Sequence, residues 1–414
     1  MIPVKTGEHV FEQLAQDLHS QARQEVLLIA DENTYPACAR QVEERLLSSG
    51  VTVYKTLLPG QPSVAADESS IAEVLRALNG RELALVAVGS GTLTDITRFV
   101  AFQTRLPFYS VPTAPSVDAY TSYTAAITIR GVKNSFATKT ASGVYVSLPV
   151  LCAAPRRMIA AGFGDMVAKF TALADWQLAH LLVDEALDET SLRQAAQAAQ
   201  ACAAQAGAVA AAEPAGIAAL IDSLLVSGRS MVRVRSSRPA AGAEHSLAHY
   251  WEIHHQLYHK PESMHGEKTG AASVIIAGLY EKLRQLSRQE AQRRLARFQW
   301  SGPDQEIRRI EADYGVLAGQ VIANRASFLG PFGQQLDLFG ARLLARWDEV
   351  QAIAAQVPGP AQVSDLLQRA GAIWQTEQLH VTEDEVQQAL RSAMYVRDRL
   401  TILELNHILA LNHP

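Results

Sequence analysis

Four apolar runs dominate the first 113 residues. VLLIAD (26–31) closes on an acid, and VTVYKTLL (51–58), LALVAVG (83–89) and PFYSVPT (107–113) follow it. The first reads as a buried parallel strand and the others as further strands, LALVAVG the most strand-like of them. Between them the spacing turns helical. Residues 34–49 carry Val42, Leu46 and Leu47 at helical positions, and further helices are predicted over 67–78 and 96–103. This alternation predicts a mainly parallel sheet with helices on its faces. Past about residue 150 the pattern becomes helical almost throughout. The Ala- and Gln-rich stretch 191–212 reads as helix, because Ala has the highest helix propensity and the spacing continues into IAALIDSLL. Breaks at 302–303, 330–331 and 358–360 divide the remainder. The expected architecture is an N-terminal Rossmann-like α/β domain over 1–152, an all-α domain over 153–414, and a cleft between them.

Composition narrows the function classes. The chain has 414 residues, enough for two cores, and 48% hydrophobic residues. A formal net charge of -5 supplies no basic excess for nucleic acid. No run of about 20 uncharged apolar residues suggests a membrane span. The N-terminus MIPVKTGEHVFEQL lacks a charged-then-apolar signal pattern. Cys38, Cys152 and Cys202 are widely spaced and odd in number, which suits reduced thiols and a cytoplasmic setting.

The densest chemistry lies in EHSLAHYWEIHHQLYHKPESMHGEKTG (244–270). His245 and His249, spaced i and i+4, share one helical face. His265 opens an HGEKTG turn and can point back at them. An oxygen donor would complete a metal site with an open position, and Asp165 in AGFGDMVAKF is the best candidate, with glycines allowing a sharp turn before a helix. Glu244 and Glu267 suit capping or support of a ligand histidine. His254, His255 and His259 read as a solvated or interface face.

GSGTLTD (89–95) follows the strongest strand. Gly89, Ser90 and Gly91 form either a cradle for a pyrophosphate at a helix N-terminus or a plain tight turn; this is not the GxGxxG fingerprint. Asp31, at a strand end, either holds a ribose hydroxyl, favouring NAD over NADP, or caps a helix. The loop 112–126 packs small hydroxyls around Asp118 and reads as a ligand-contacting or an ordinary surface loop.

Taken together, IADENTY (29–35), VAVGSGTLTDITRFVA (86–101), SVPTAPSVDAYTS (110–122), AGFGDMVAKFTALADW (161–176), EHSLAHYWE (244–252) and HGEKTG (265–270) resemble the sn-glycerol-1-phosphate dehydrogenases, above all their bacterial branch. That family lies in the iron-containing alcohol dehydrogenase and dehydroquinate synthase-like superfamily. The resemblance implies that superfamily's fold, with Asp165, His245 and His265 as metal ligands, the metal being zinc or nickel. It implies that Asp118, Asp165 and His249 bind substrate, with Asp165 and His249 catalytic. It implies cofactor contacts from Asp31, Gly89, Ser90, Gly91, Thr92, Leu93, Thr94, Asp95, Thr113, Ala114, Pro115, Ser116 and Ser122, the cofactor being NAD with NADP as the alternative. The implied activity is reversible NAD(P)H-dependent reduction of dihydroxyacetone phosphate to sn-glycerol 1-phosphate, with a small phosphorylated substrate and a homo-oligomer, dimer or larger, expected. The chain departs from the family pattern at Ala119, usually Gly, and at Ser142 and Ser147, where proline and aspartate are usual. Those departures keep open another polyol or polyol phosphate as substrate. A dehydroquinate synthase-like lyase is the other alternative, disfavoured by Asp165 where that family offers Glu. Lys169 and Lys268 are the cations nearest the motifs.

Overall fold

The computed structural model describes residues 2–60, 63–130, 132–329 and 335–412. They divide into two compact units, residues 1–162 with 207–235, and residues 163–206 with 236–414.

The first unit is built on a six-stranded parallel sheet. In chain order its strands are β1 (Val4–Thr6), β2 (Glu25–Asp31), β3 (Thr52–Leu58), β4 (Ala84–Gly89), β5 (Phe108–Pro112) and, after a hairpin of β6 (Thr124–Ile129) and β7 (Val132–Ala137), β8 (Gly143–Val146). The spatial order is β1-β8-β5-β4-β2-β3. Val26, Leu28 and Ala30 of β2 and Val86 and Val88 of β4 are fully buried, packing with Val10, Leu14 and Leu18 of the helix Val10–Ser20 and Val42 and Leu46 of the helix Arg40–Ser48. Leu47, at an expected apolar position, is exposed.

The four expected strands are present. Strands β1 and β8 span 3 and 4 residues, too short for a periodicity signal, and β6 and β7 fall within and just beyond the stretch read as loop. The expected helix at 96–103 begins at Gly91, directly after β4. The order reverses between β2 and β4, where neighbouring strands run to opposite sides. At such a switch the carboxyl ends of parallel strands leave a ligand crevice. Asp31 ends β2 in register with Leu58, and Gly89 ends β4 in register with Pro112.

Residues 207–235 join this unit through the helix Pro214–Val234, the one described helix long and apolar enough to cross a membrane by length and composition. Of its most apolar window, 61% is buried inside the protein. Its Gly228 explains the packing: a Cβ there would crowd Thr121 Oγ1, the Asp118 carbonyl oxygen and Ser122 N. Thr121 Oγ1 donates to Leu225 O across the same contact, at 2.8 Å.

The second unit is helical. The Ala-rich stretch forms helices Glu189–Ala204 and Ala206–Ala210, the latter running into the first unit. Helices begin at Pro303 and Pro360, after two of the expected breaks; residues 330–331 lie outside the described ones. All three cysteines are free thiols, and burial pushes Cys38 and Cys202 up to about 12.

Candidate metal centre and cofactor turn

Three side chains of the second unit converge, each from a different helix. Asp165 lies inside the helix Arg156–Val167, His245 on Ala243–Leu257, and His265 is the first residue of His265–Gln285. One donor atom from each lies within 4.8 Å of the other two. His245 Nε2 stands 3.7 Å from Asp165 Oδ1.

Two sequence readings change here. Gly162 and Gly164 do not turn the chain before a helix; both are inside one. A Cβ on Gly164 would meet the backbone of Gly266 and Gly270, so the glycine lets the Asp165 helix lie against the first turn of the His265 helix. HGEKTG is likewise that first turn, not a separate loop. Glu267 Oε2 accepts from Met264 N at 2.8 Å and caps it.

The supporting shell assigns tautomers. His245 Nδ1 donates to Glu244 Oε1 at 2.8 Å, and Glu244 also accepts from Thr171 Oγ1 and Gly242 N. This leaves the His245 Nε2 lone pair facing Asp165. Glu252 serves the other two histidines, accepting from His249 Nδ1 at 2.9 Å and His265 Nδ1 at 3.4 Å. The donor set of one carboxylate and two imidazoles, each imidazole backed by a carboxylate, fits a divalent cation. Burial, then the charge of His265, holds His245 well below its usual range and so in the neutral, metal-ligating form.

His249 belongs to the same cluster, its ring centroid 5.5 Å from that of His265. Its Nε2 accepts from Arg397 Nη2 at 2.8 Å while Nδ1 faces Glu252. Burial lowers its pKa to about 4, so the ring is neutral at ordinary pH and its Nε2 is an acceptor. Lys169 and Lys268 are engaged internally. Lys169 Nζ sits 2.8 Å from Asp165 Oδ1, both fully buried, and Lys268 Nζ reaches Glu252 at 3.4 Å. His254 and His255 are buried rather than solvated; His259 is exposed. Glu252 was legible in retrospect, because 245, 249 and 252 continue one helical stripe.

The candidate cofactor residues gather in the first unit. Asp31, the 89–95 turn and residues 113–116 follow the carboxyl ends of adjacent strands β2, β4 and β5. Gly89 and Gly91 are demanded by the protein itself, since a Cβ would collide with Leu93 at the first and Val117 at the second. Ser90 occupies the N-cap without a side-chain cap bond, and Thr92 is half-buried at the helix start. Thr94 Oγ1 lies 3.4 Å from Ser110 Oγ in the interior. Asp95 is taken up by structure: it pairs with fully buried Arg98 at 2.6 Å and accepts from Ala126 N at 3.0 Å. Asp31 Oδ1 accepts from Asn33 N and Thr34 N, closing a turn. Thr113 N donates to Gly89 O, and the Ala114 carbonyl accepts from the Tyr120 hydroxyl. Pro115 and Ser116 pack where a Gly162 Cβ would stand. Ser122 Oγ accepts from Thr124 N at 3.0 Å.

Asp118 opens a short helical turn and accepts from Ser227 Oγ at 2.7 Å, a partner 109 residues away that no local motif announces. The neighbouring Ala119 presents its carbonyl to Arg98. Ser142 N donates to Phe108 O, and Ser147 sits at the N-cap of the helix Leu148–Cys152.

A six-stranded parallel sheet in one unit and a helical second unit define the fold of the iron-containing alcohol dehydrogenases. Residues 5–155 match the iron-containing alcohol dehydrogenase family. A probable glycerol dehydrogenase from Sinorhizobium meliloti 1021 shares the fold, at a TM-score of 0.62 and 16% identity, over 99% of this chain and 96% of that one. The sequence is 32% identical to the glycerol-1-phosphate dehydrogenase [NAD(P)+] of Geobacillus thermodenitrificans (strain NG80-2), over 97% of this chain and 91% of that protein. It is 38% identical to that of Bacillus subtilis (strain 168), over 69% and 74%. The chain belongs to the glycerol-1-phosphate dehydrogenase family.

Proposed function

We propose that this chain catalyses the reversible reduction of dihydroxyacetone phosphate to sn-glycerol 1-phosphate, using NADH or NADPH and one divalent ion, zinc or nickel. The observation that carries the reading is the convergence of Asp165, His245 and His265 with their carboxylate supports, in a chain whose relatives bear this activity in their names. Mixed nitrogen and oxygen donors suit either metal.

When bound, the ion supplies Lewis acidity toward a carbonyl oxygen and the nicotinamide supplies hydride. The side chains do the rest. Asp165, His245 and His265 hold the ion, and Glu244 and Glu252 fix the imidazoles so that their lone pairs need no reorientation. His249, neutral with Nε2 accepting, takes a hydrogen bond from a substrate hydroxyl once that hydroxyl replaces Arg397 there. Asp118, oriented by Ser227, is the acid for a second hydroxyl. The turn Gly89, Ser90, Gly91 and Thr92, at the N-terminus of its helix, seats the cofactor pyrophosphate. Asp31 keeps Oδ2 outside its turn bonds for a ribose hydroxyl, with residues 113–116 and Ser122 lining the same strand ends. Asp95 contributes through the fold, by its pair with Arg98.

The test is NADH oxidation with dihydroxyacetone phosphate, with and without added zinc or nickel, and chiral analysis of the product. Turnover that survives complete removal of metal, or substitution of His265 by Ala, would overturn the scheme. NADH used but not consumed in net terms would instead favour the lyase chemistry of the dehydroquinate synthase branch.

A further inference from the structure

The irregular segment at 396–400 reaches the histidine cluster from far along the chain, at His249, and two arginines with carboxylate partners hold its backbone. Arg325 Nη1 donates to Arg397 O at 2.7 Å and its Nη2 pairs with Glu404 at 2.8 Å. Arg238 donates to Leu400 O at 2.9 Å and pairs with Glu185. These two are compensated and structural.

Arg397 and Arg399 are of a different kind. Arg397 donates to Ser237 Oγ at 2.9 Å and to His249 Nε2 at 2.8 Å. Arg399 donates to the same Ser237 Oγ and to Ala241 O, both at 3.0 Å. Among the described residues neither guanidinium forms an ion pair. The acids that act on them do so at longer range: Glu244 and Glu252 on Arg397, Glu185 and Glu244 on Arg399. Exposed Asp398, between them, interacts more strongly with Arg325 than with Arg399. Burial, then the charges of Arg397 and Arg238, hold Arg399 well below its ordinary range. Two guanidiniums meeting at one hydroxyl without a counter-ion are costly unless an anion offsets them. Both are partly exposed, so an anion has access. Ser237 Oγ accepts twice and keeps its hydrogen to donate.

We propose that Arg397 and Arg399, meeting at Ser237, are the subsite for the phosphate monoester of the substrate and make the enzyme selective for a phosphorylated over an unphosphorylated three-carbon ketone. This rests on the reaction proposed above. Planar guanidiniums suit phosphate oxygens, and Arg397 sits beside His249, one imidazole away from the metal-binding cluster. In this arrangement phosphate draws Arg397 away from His249 Nε2 and leaves that acceptor to a substrate hydroxyl, which links anion binding to completion of the site.

The experiment titrates the metal-loaded full chain with inorganic phosphate by calorimetry, for the wild type, R399M and the conservative R399K, with circular dichroism confirming folded variants. Phosphate binding should weaken about tenfold or more in R399M and recover in part in R399K. In turnover, R399M should raise KM for dihydroxyacetone phosphate about tenfold with a smaller change in kcat, and reduce the preference for that substrate over dihydroxyacetone. A wild type that binds no phosphate, or an R399M that binds it equally well, overturns the proposal. So does a rise in KM for NADPH in place of the ketone, which would give these arginines to the cofactor. Phosphate binding lost in R399M while the wild type reduces no dihydroxyacetone phosphate would leave the anion subsite standing and remove the proposed reaction.

Discussion

Gly164→Ala tests the link between helix packing and metal affinity. A Cβ at this position would stand 3.2 Å from the Gly266 carbonyl carbon, 3.4 Å from Gly270 Cα, and inside 3.0 Å of the Gly266 oxygen. All three are backbone atoms, so no flexible side chain can yield. Restoring ordinary contact moves the two helices apart by about 1 Å. Asp165 and His265 are the immediate chain neighbours of Gly164 and Gly266, so the displacement falls directly on two of the three proposed ligands. Metal–ligand distances tolerate about 0.2 Å, so the site should lose most of its affinity, while overpacking alone costs about 1–3 kcal/mol of stability. Gly278→Ala is the control: it lies on the opposing helix His265–Gln285 with nothing near its Cβ, and should stabilise by about 0.5–1 kcal/mol. The assay is metal content after dialysis against a graded chelator, with thermal unfolding of the metal-free protein alongside. If Gly164→Ala retained metal as tightly as the wild type, the argument that close helix approach builds the site would be wrong.

Glu244→Gln should weaken metal binding about 10–100-fold, read by competition with a chromogenic chelator, because the amide cannot accept from His245, Thr171 and Gly242 together. Arg98→Met should cost about 3–5 kcal/mol in urea denaturation, since it strands Asp95 and frees the carbonyls of Ala119 and Thr124. Asp175 is raised from 3.8 to about 7 by burial first and Glu244 second. A raised folded-state pKa means its contribution to stability is full below pH 3.8 and is lost as pH climbs toward 7. Denaturant midpoints across that window should therefore show a downward component that flattens in Asp175→Asn.

The strands β2, β4 and β5 were legible because their residues are buried along nearly the whole run and read as apolar stretches, whereas the edge strand β3 is largely exposed and shows only as a β-branched run. The histidine cluster was legible because the i, i+4 pair His245 and His249 leaves a mark in the sequence and His265 follows close by. The glycines beside Asp165 were visible but misassigned: sequence distinguishes poorly between a glycine that bends backbone and one that admits a second helix, and only Gly266 opposite Gly164 decides it. Of the two cations nearest the motifs, Lys169 pairs with Asp165 at i, i+4 spacing, whereas Lys268 reaches Glu252 across two helices, a contact that no local spacing announces. Ser227 under Asp118 and Arg397 against His249 are pairings across 109 and 148 residues, set by tertiary packing and carrying no periodic signal.

The return of residues 207–235 to the sheet-bearing unit bears on how the polypeptide matures. All six strands emerge during synthesis before the helix Pro214–Val234 exists, so the turn that holds Asp118 waits without its cover and without the Ser227 hydrogen bond. A gene truncated after residue 162 would make that transient state permanent, and its product would be recovered as aggregate unless a peptide bearing 207–235 were supplied in trans.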